Sequence, residues 1–153
     1  MDLCFVEFIS YSIDAKGRIK IPTCHQEQIG KACSGQMVLS VHPDDDCLVL
    51  YPLTDWQNLE RKVSKLPSLN VHSKRLSRKL IGHASGCDLD KIGRILIPSS
   101  HRNYADLKSK AILSGQGHSF EIWDEQLWKT QIEKLEKLST QVEIPEEILK
   151  LSL

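Results

Sequence analysis

The 153-residue chain has no net charge, no cysteine pairs and no long apolar run. Each lack excludes something. No stretch stays apolar for the roughly 20 residues that a membrane-spanning helix needs. The start, Met1-Asp2-Leu3-Cys4, has neither the basic residue nor the apolar core of a secretory signal, so a cytoplasmic protein is expected. Five cysteines, Cys4, Cys24, Cys33, Cys47 and Cys87, are odd in number and widely spread. They fit reduced thiols rather than a disulfide framework. Zinc on Cys24 and His25 would lack the paired ligand spacing of a structural site. No phosphate-cradling G-x-x-x-x-G-K-[ST] loop is present. Asp44-Asp45-Asp46 lacks the alternation, glycine and terminal glutamate of a calcium loop and reads as solvated. Ser, His and Asp show no triad-like spacing, and His83 reads as a packed or surface imidazole. An enzyme, a cofactor, a metal and a small-molecule substrate are therefore not expected.

The zero net charge hides a segregation. Between Arg61 and Lys110 twelve lysines and arginines face only Asp88, Asp90 and Asp106, and both flanks are net acidic. Such a stretch either binds a polyanion locally or forms a solvated helix face.

What the chain does have is one short motif twice. Asp14-Ala15-Lys16-Gly17-Arg18-Ile19-Lys20-Ile21-Pro22 recurs as Asp90-Lys91-Ile92-Gly93-Arg94-Ile95-Leu96-Ile97-Pro98. Asp, Gly, Arg, both Ile and Pro keep their places, which points to a duplicated small unit. A unit of roughly 70 residues alone would have a thin core, so the halves are expected to pack as one body. Within the motif, Asp forms the turn and Gly supplies positive φ. The isoleucines face the core, and Pro ends a strand and starts a helix. Arg18 and Arg94 are left. Each either pairs with its own Asp14 or Asp90 across the turn, or points outward to a phosphate or base edge.

Strands are predicted at Phe5–Ile9, Arg18–Ile21, Gln36–Val41 and Cys47–Tyr51 in the first half. In the second they fall at Ala84–Leu89, Arg94–Ile97, Ala111–Gly115 and Phe120–Trp123. Thr23 and Thr54 are expected to cap helices. Trp56, Leu59, Val63 and Leu66 form one helical stripe, and Leu127, Trp128, Ile132, Leu135 and Leu138 another. A basic helix is expected over Ser73–Gly82, with Leu76, Leu80 and Ile81 on one side. Tyr51-Pro52 before Trp56 matches Trp123-Asp124 before Trp128, so the duplication outlasts the motif. The acidic end beyond Thr140 is expected to be a loosely attached tail.

Two copies of D-x-x-G-R-x-x-I-P resemble the MraZ family, bacterial regulators encoded at the head of the division and cell-wall gene cluster. Gly35–Val38, Cys47–Trp56, Lys79–Cys87 and Phe120–Asp124 are similar to further family stretches, and the resemblance covers about residues 5–138. It implies a β-rich α+β fold: tandem AbrB-like swapped-hairpin units packed about a pseudo-twofold, with helices after each half. The implied division is residues 5–53 and 83–125 for the units, 54–82 for a helical connector and 126–153 for a closing helix and tail. It implies a homo-oligomeric ring that binds double-stranded DNA at short direct repeats in its own operon promoter, associated with the nucleoid. Arg18 and Arg94 are the implied DNA contacts, with Lys16 and Lys20 as helpers and Asp14 and Asp90 in the same motif sites. Ile92 and Leu96 replace those lysines in the second copy, which is thereby less equipped to grip phosphate. The chain's start lacks the basic residue and glycine often found there in the family. The competing expectation is an oligomeric, antitoxin-like interaction module that docks a protein through Glu143, Glu146 and Glu147.

Overall fold

A computed structural model describes residues 4–152; the start discussed above thus lies, apart from Cys4, outside the described residues. The elements are β1 (Phe8–Ser12), β2 (Arg18–Lys20), α1 (Thr23–Cys33), β3 (Met37–Val41), β4 (Leu48–Pro52), α2 (Leu53–Ser64) and α3 (Val71–Leu76). A π-helical turn over Ser77–Ile81 continues α3. The second half runs β5 (Ser85–Gly86), β6 (Arg94–Leu96), α4 (Ser99–Tyr104), β7 (Lys110–Gly115), β8 (Phe120–Asp124), α5 (Glu125–Ser139) and α6 (Glu146–Leu149).

Six strands form one sheet in the order β1-β7-β8-β4-β3-β5, and β2 pairs with β6 in a separate ribbon. Every pairing of these strands is antiparallel. The two hairpins meet at the centre, where β4 lies on β8 with Leu48 opposite Ile122 and Leu50 opposite Phe120. Each first strand leaves its own half: β1 pairs with β7, and β5 pairs with β3.

Period-two alternation splits the sheet into two faces. Met37, Leu39, Val41, Leu48, Leu50, Leu113, Phe120 and Ile122 pack with Ile19, Ile21, Ile95 and Ile97 in the main core. The ribbon therefore covers one face. Val38 and Val49 point the other way, against Trp56 and Leu80, and Ile112 and Trp123 do the same against Leu127 and Trp128. The connector helices and α5 thus cover the opposite face. Full burial of a Phe, Leu or Ile contributes about 1.5–3 kcal/mol relative to leaving it exposed, so the two-sided sheet is the fold's main stabilising layer.

Several expectations shift. The first strand begins at Phe8, not Phe5, because Glu7 at φ 73° bends the chain. Phe5 instead pairs singly with Gly117 and buries its ring on Phe120, with centroids 4.3 Å apart. Thr23 and Thr54 do not cap: Pro22, Pro52 and Pro98 stand at the N-cap positions, and no side-chain cap bond forms there. Their ring-fixed φ, between −53° and −58°, sets the entry into each helix. Asp124 does cap α5, accepting from the Gln126 and Leu127 N–H groups. The strand expected over Ala84–Leu89 shrinks to two residues. The helix expected over Ser73–Gly82 starts earlier and changes to π geometry at Ser77. Leu66 falls beyond the end of α2 and is exposed. On α5 only Leu127 and Trp128 pack, while Ile132, Leu135 and Leu138 face solvent.

Candidate nucleic-acid interface

The repeated motif folds the same way twice. Asp14 Oδ1 accepts the N–H groups of Lys16 and Arg18, each at 2.9 Å, and its Oδ2 accepts Nε of Arg18 at 2.7 Å. Asp90 Oδ1 takes the N–H groups of Ile92 and Arg94 at 2.9 Å, and its Oδ2 takes Nε of Arg94 at 3.1 Å. Gly17 and Gly93 close the turns at φ 88° and 79°, where L side chains are strained. The Gly17 N–H returns to the Asp14 carbonyl and the Gly93 N–H to the Asp90 carbonyl.

The halves are tied through these turns. The Ile97 N–H donates to the Gly17 carbonyl at 2.8 Å, and the Ile21 N–H to the Gly93 carbonyl at 2.9 Å. Ile19 stands opposite Ile95, and both are buried. Their neighbours alternate outward: Arg18 opposite Leu96, and Lys20 opposite Arg94. Arg94 also reaches Asp14 Oδ2 through Nη1 at 3.5 Å. The two arginines therefore share a carboxylate and a ribbon face. Lys20 lies on that face, Lys16 is exposed on the first turn, and Asp90 sits in the second turn.

Each arginine pairs with the aspartate of its own turn, and Arg94 with Asp14 as well. Asp14 holds the Nε edge of Arg18, while neither Nη group makes a protein hydrogen bond among the described residues. Pairs this exposed add little stability; their effect is to aim the guanidinium. The backbone N–H of Arg18, reinforced by the Arg18 side chain and the Lys16 N–H, holds the Asp14 carboxyl down at about 2. Asp90 is lowered by its equivalent partners, the Arg94 N–H first.

Arg102 is a neighbour that motif reading did not select. A Cβ on Gly17 would come within 2.9 Å of Cζ and Nε of Arg102. That Nε is buried without a hydrogen-bond partner. Gln26 occupies the matching place against Gly93 and donates to the Ile21 carbonyl at 2.6 Å. The signal was available: Pro22, His25 and Gln26 align with Pro98, His101 and Arg102 once the repeat is extended past proline. The second turn also carries exposed Lys91, one residue before Ile92. Among the described residues no group of three or more His, Cys, Asp or Glu could hold a metal ion, and no helix is long and apolar enough to cross a membrane.

Comparison with known proteins gives one family. Its model, described as "MraZ protein, putative antitoxin-like", matches residues 5–79 and again 80–148. The "Transcriptional regulator MraZ" of Methylococcus capsulatus is 50% identical over 119 residues, 78% of each chain. Relatives of the same name from Halorhodospira halophila and Pectobacterium atrosepticum are each 42% identical over 144 residues, covering 93% of this chain and 95% of theirs. A double match to the family model and relatives spanning nearly the whole length show that the chain belongs to the MraZ family.

Proposed function

We propose that this protein is a sequence-specific DNA-binding transcriptional regulator of the division and cell-wall gene cluster, acting at short direct repeats in its own operon promoter. The observation that carries it is the β2–β6 ribbon, with Arg18, Lys20 and Arg94 on one outward face and free Nη groups on Arg18. A two-stranded ribbon fits the major groove, where an arginine fork reads guanine and an apolar group such as Leu96 meets a thymine methyl. Lys16 and Lys20 supply phosphate contacts, which add affinity without reading sequence. Asp14 and Asp90 act by aiming the arginines. Transcription-regulator names among the relatives support the same role. The work is binding and release, with no bond made or broken, in the cytoplasm at the nucleoid.

The fold assigned is a tandem AbrB-like swapped-hairpin pair, supported by the crossing of β1 to β7 and of β5 to β3. Its units are residues 5–53 and 83–125, joined by the connector 54–82 and followed by 126–153. One such face grips weakly. A homo-oligomeric ring repeats it, and linked contacts gain affinity through effective concentration.

Arg18→Ala is expected to weaken operator binding by about 1–3 kcal/mol per lost base contact while leaving the fold intact. Arg94→Ala should act in the same direction and less strongly, with Ile92 and Leu96 beside it. Fluorescence anisotropy on the upstream DNA measures both; unchanged affinity in a folded Arg18→Ala protein would remove the DNA-contact role. The rival antitoxin-like module is favoured by the exposed tail with Glu143, Glu146 and Glu147. Nuclease-resistant capture of one stoichiometric protein would decide for it.

A further inference from the structure

The basic stretch noted in the sequence is divided by the sheet. Arg94 lies on the ribbon, over the main core. Lys62, Lys65, Lys74 and Arg78 lie on the connector, which packs on the other face through Trp56 and Leu80. A sheet packed on a ribbon is separated from it by about 10 Å, and the connector lies a further layer away. Charges across that distance are screened, since the Debye length is about 8 Å at physiological salt. The connector cations therefore add little to a duplex held on the same copy's ribbon.

Among the described residues, these four also lack ion-pair partners, unlike their neighbours. Arg75 is paired with Asp44 at 3.0 Å, and Lys79 donates to the Pro43 carbonyl. Lys62, Lys65, Lys74 and Arg78 form no ion pair among the described residues. Between them, at the α2–α3 junction, Leu69 and Val71 are 86% and 75% exposed. A large apolar group standing among unpaired cations is a surface lacking its complement.

The complement is at the far end of the same chain. Every residue from 132 to 152 is exposed, and none belongs to a buried core cluster among the described residues. It carries Glu143, Glu146 and Glu147 among Ile144, Ile148 and Leu149, whose exposures run from 53% to 68%. Among the described residues, Glu146 is the one of these three glutamates with an ion pair, to Lys150 at 3.1 Å on the next turn. One patch is apolar and acidic, the other apolar and basic, and they lie on different segments.

We propose that residues 140–152 of one copy dock on the α2–α3 junction of a second copy, Ile148 and Leu149 against Leu69 and Val71, Glu146 and Glu147 against Lys74 and Arg78. Donor and acceptor patches differ, so the contact is heterologous. It runs head to tail and closes into a ring when the rotation between copies permits. This rests on the self-assembly proposed above and names the segments that perform it.

The test uses charge exchange in the full chain. Glu146→Lys with Glu147→Lys makes one variant, and Lys74→Glu with Arg78→Glu the other. All four sites are exposed, so both variants should keep the parent's circular dichroism and melting. Light scattering behind a sizing column should show the parent as a high oligomer and each variant alone severalfold lighter. An equimolar mixture should regain the parent's mass, because each tail then meets an opposite charge. Carbodiimide cross-linking of a mixture of light and nitrogen-15 parent should join tail glutamates to connector lysines between copies. Variants that assemble like the parent, or tail cross-links confined to one copy or to other segments, overturn the docking and leave the assembly standing. A monomeric parent overturns both.

Discussion

Asp14 is the residue on which the first turn depends. Its carboxylate makes three close bonds, to two backbone N–H groups and the Arg18 guanidinium, and a longer one to Arg94, and a carboxylate so placed gives up its charge reluctantly. With its folded-state pKa near 2, below the ordinary 3.8, Asp14 stabilises the folded chain above pH 3.8. That contribution fades as the pH falls from 3.8 toward 2. A carbon-detected NMR titration should place the Asp14 midpoint well under 3.8, with Asp90 also lowered; an Asp14 midpoint at or above 3.8 would break the three-bond geometry. Asp14→Asn retains an acceptor but loses the charge that aims Arg18. It should keep the turn's amide chemical shifts while losing several-fold in DNA affinity. The turn roles of Asp and Gly, and the Asp–Arg pair as one of two alternatives, could be read in the motif because they are local: a bond across two to four residues depends on spacing alone. Arg102 could be picked out only by extending the repeat past proline, and its contact with Gly17 is not local. It reaches Gly17 only when the second half folds against the first.

Elements were legible in kind more than in extent. The alternation at Arg18–Lys20 and Arg94–Leu96 identified short half-buried strands, yet nothing local says that they pair with each other. The stripe on α5 was correct as a helix and misleading as a core face. Periodicity reports which side is apolar, not what covers it, and here Ile132, Leu135 and Leu138 face solvent. Phe5 was misread for a different reason. An aromatic among β-formers suggests a strand, but one positive φ at Glu7 diverts the ring into the core. That ring, Phe120 and the buried His25 form an aromatic cluster, His25 standing edge-on to Phe5 at 5.1 Å. Phe120 belongs to β8 at the central junction of the two hairpins. Phe120→Ala should therefore cost about 3–5 kcal/mol, measured by urea unfolding. It should loosen both halves in one transition. A separate early transition of the second half would show that the central pairing does not couple them.

At the scale of the whole molecule, the proposed function has DNA read by repetition. The ring proposed above would present its arginine faces at equal steps along an arc, and its operator would then have to offer direct repeats on one face of the duplex. These should be spaced near one helical turn, about 10–10.5 base pairs. Inserting half a turn between repeats should abolish the avidity gain, while a full turn should cost less. A gel-shift series over such spacers measures this; equal affinity at every spacing, or preference for an inverted repeat, would eliminate the tandem arrangement.

The crossing of first strands between halves also constrains how the protein is made. β3 waits for β5, and β1 waits for β7, so the sheet's edges are completed only late in synthesis. While the ribosome is still adding the second half, the nascent first half holds Met37–Val41 with an open backbone edge and a core face that lacks Ile95, Ile97 and the β7–β8 side chains. Folding is then largely post-translational and slow for the chain's length, as expected where pairings are distant in sequence. A chain released at residue 82 should aggregate or be degraded rather than accumulate as a folded half. The same chain should become soluble when residues 83–153 are supplied in the same cell as a separate polypeptide.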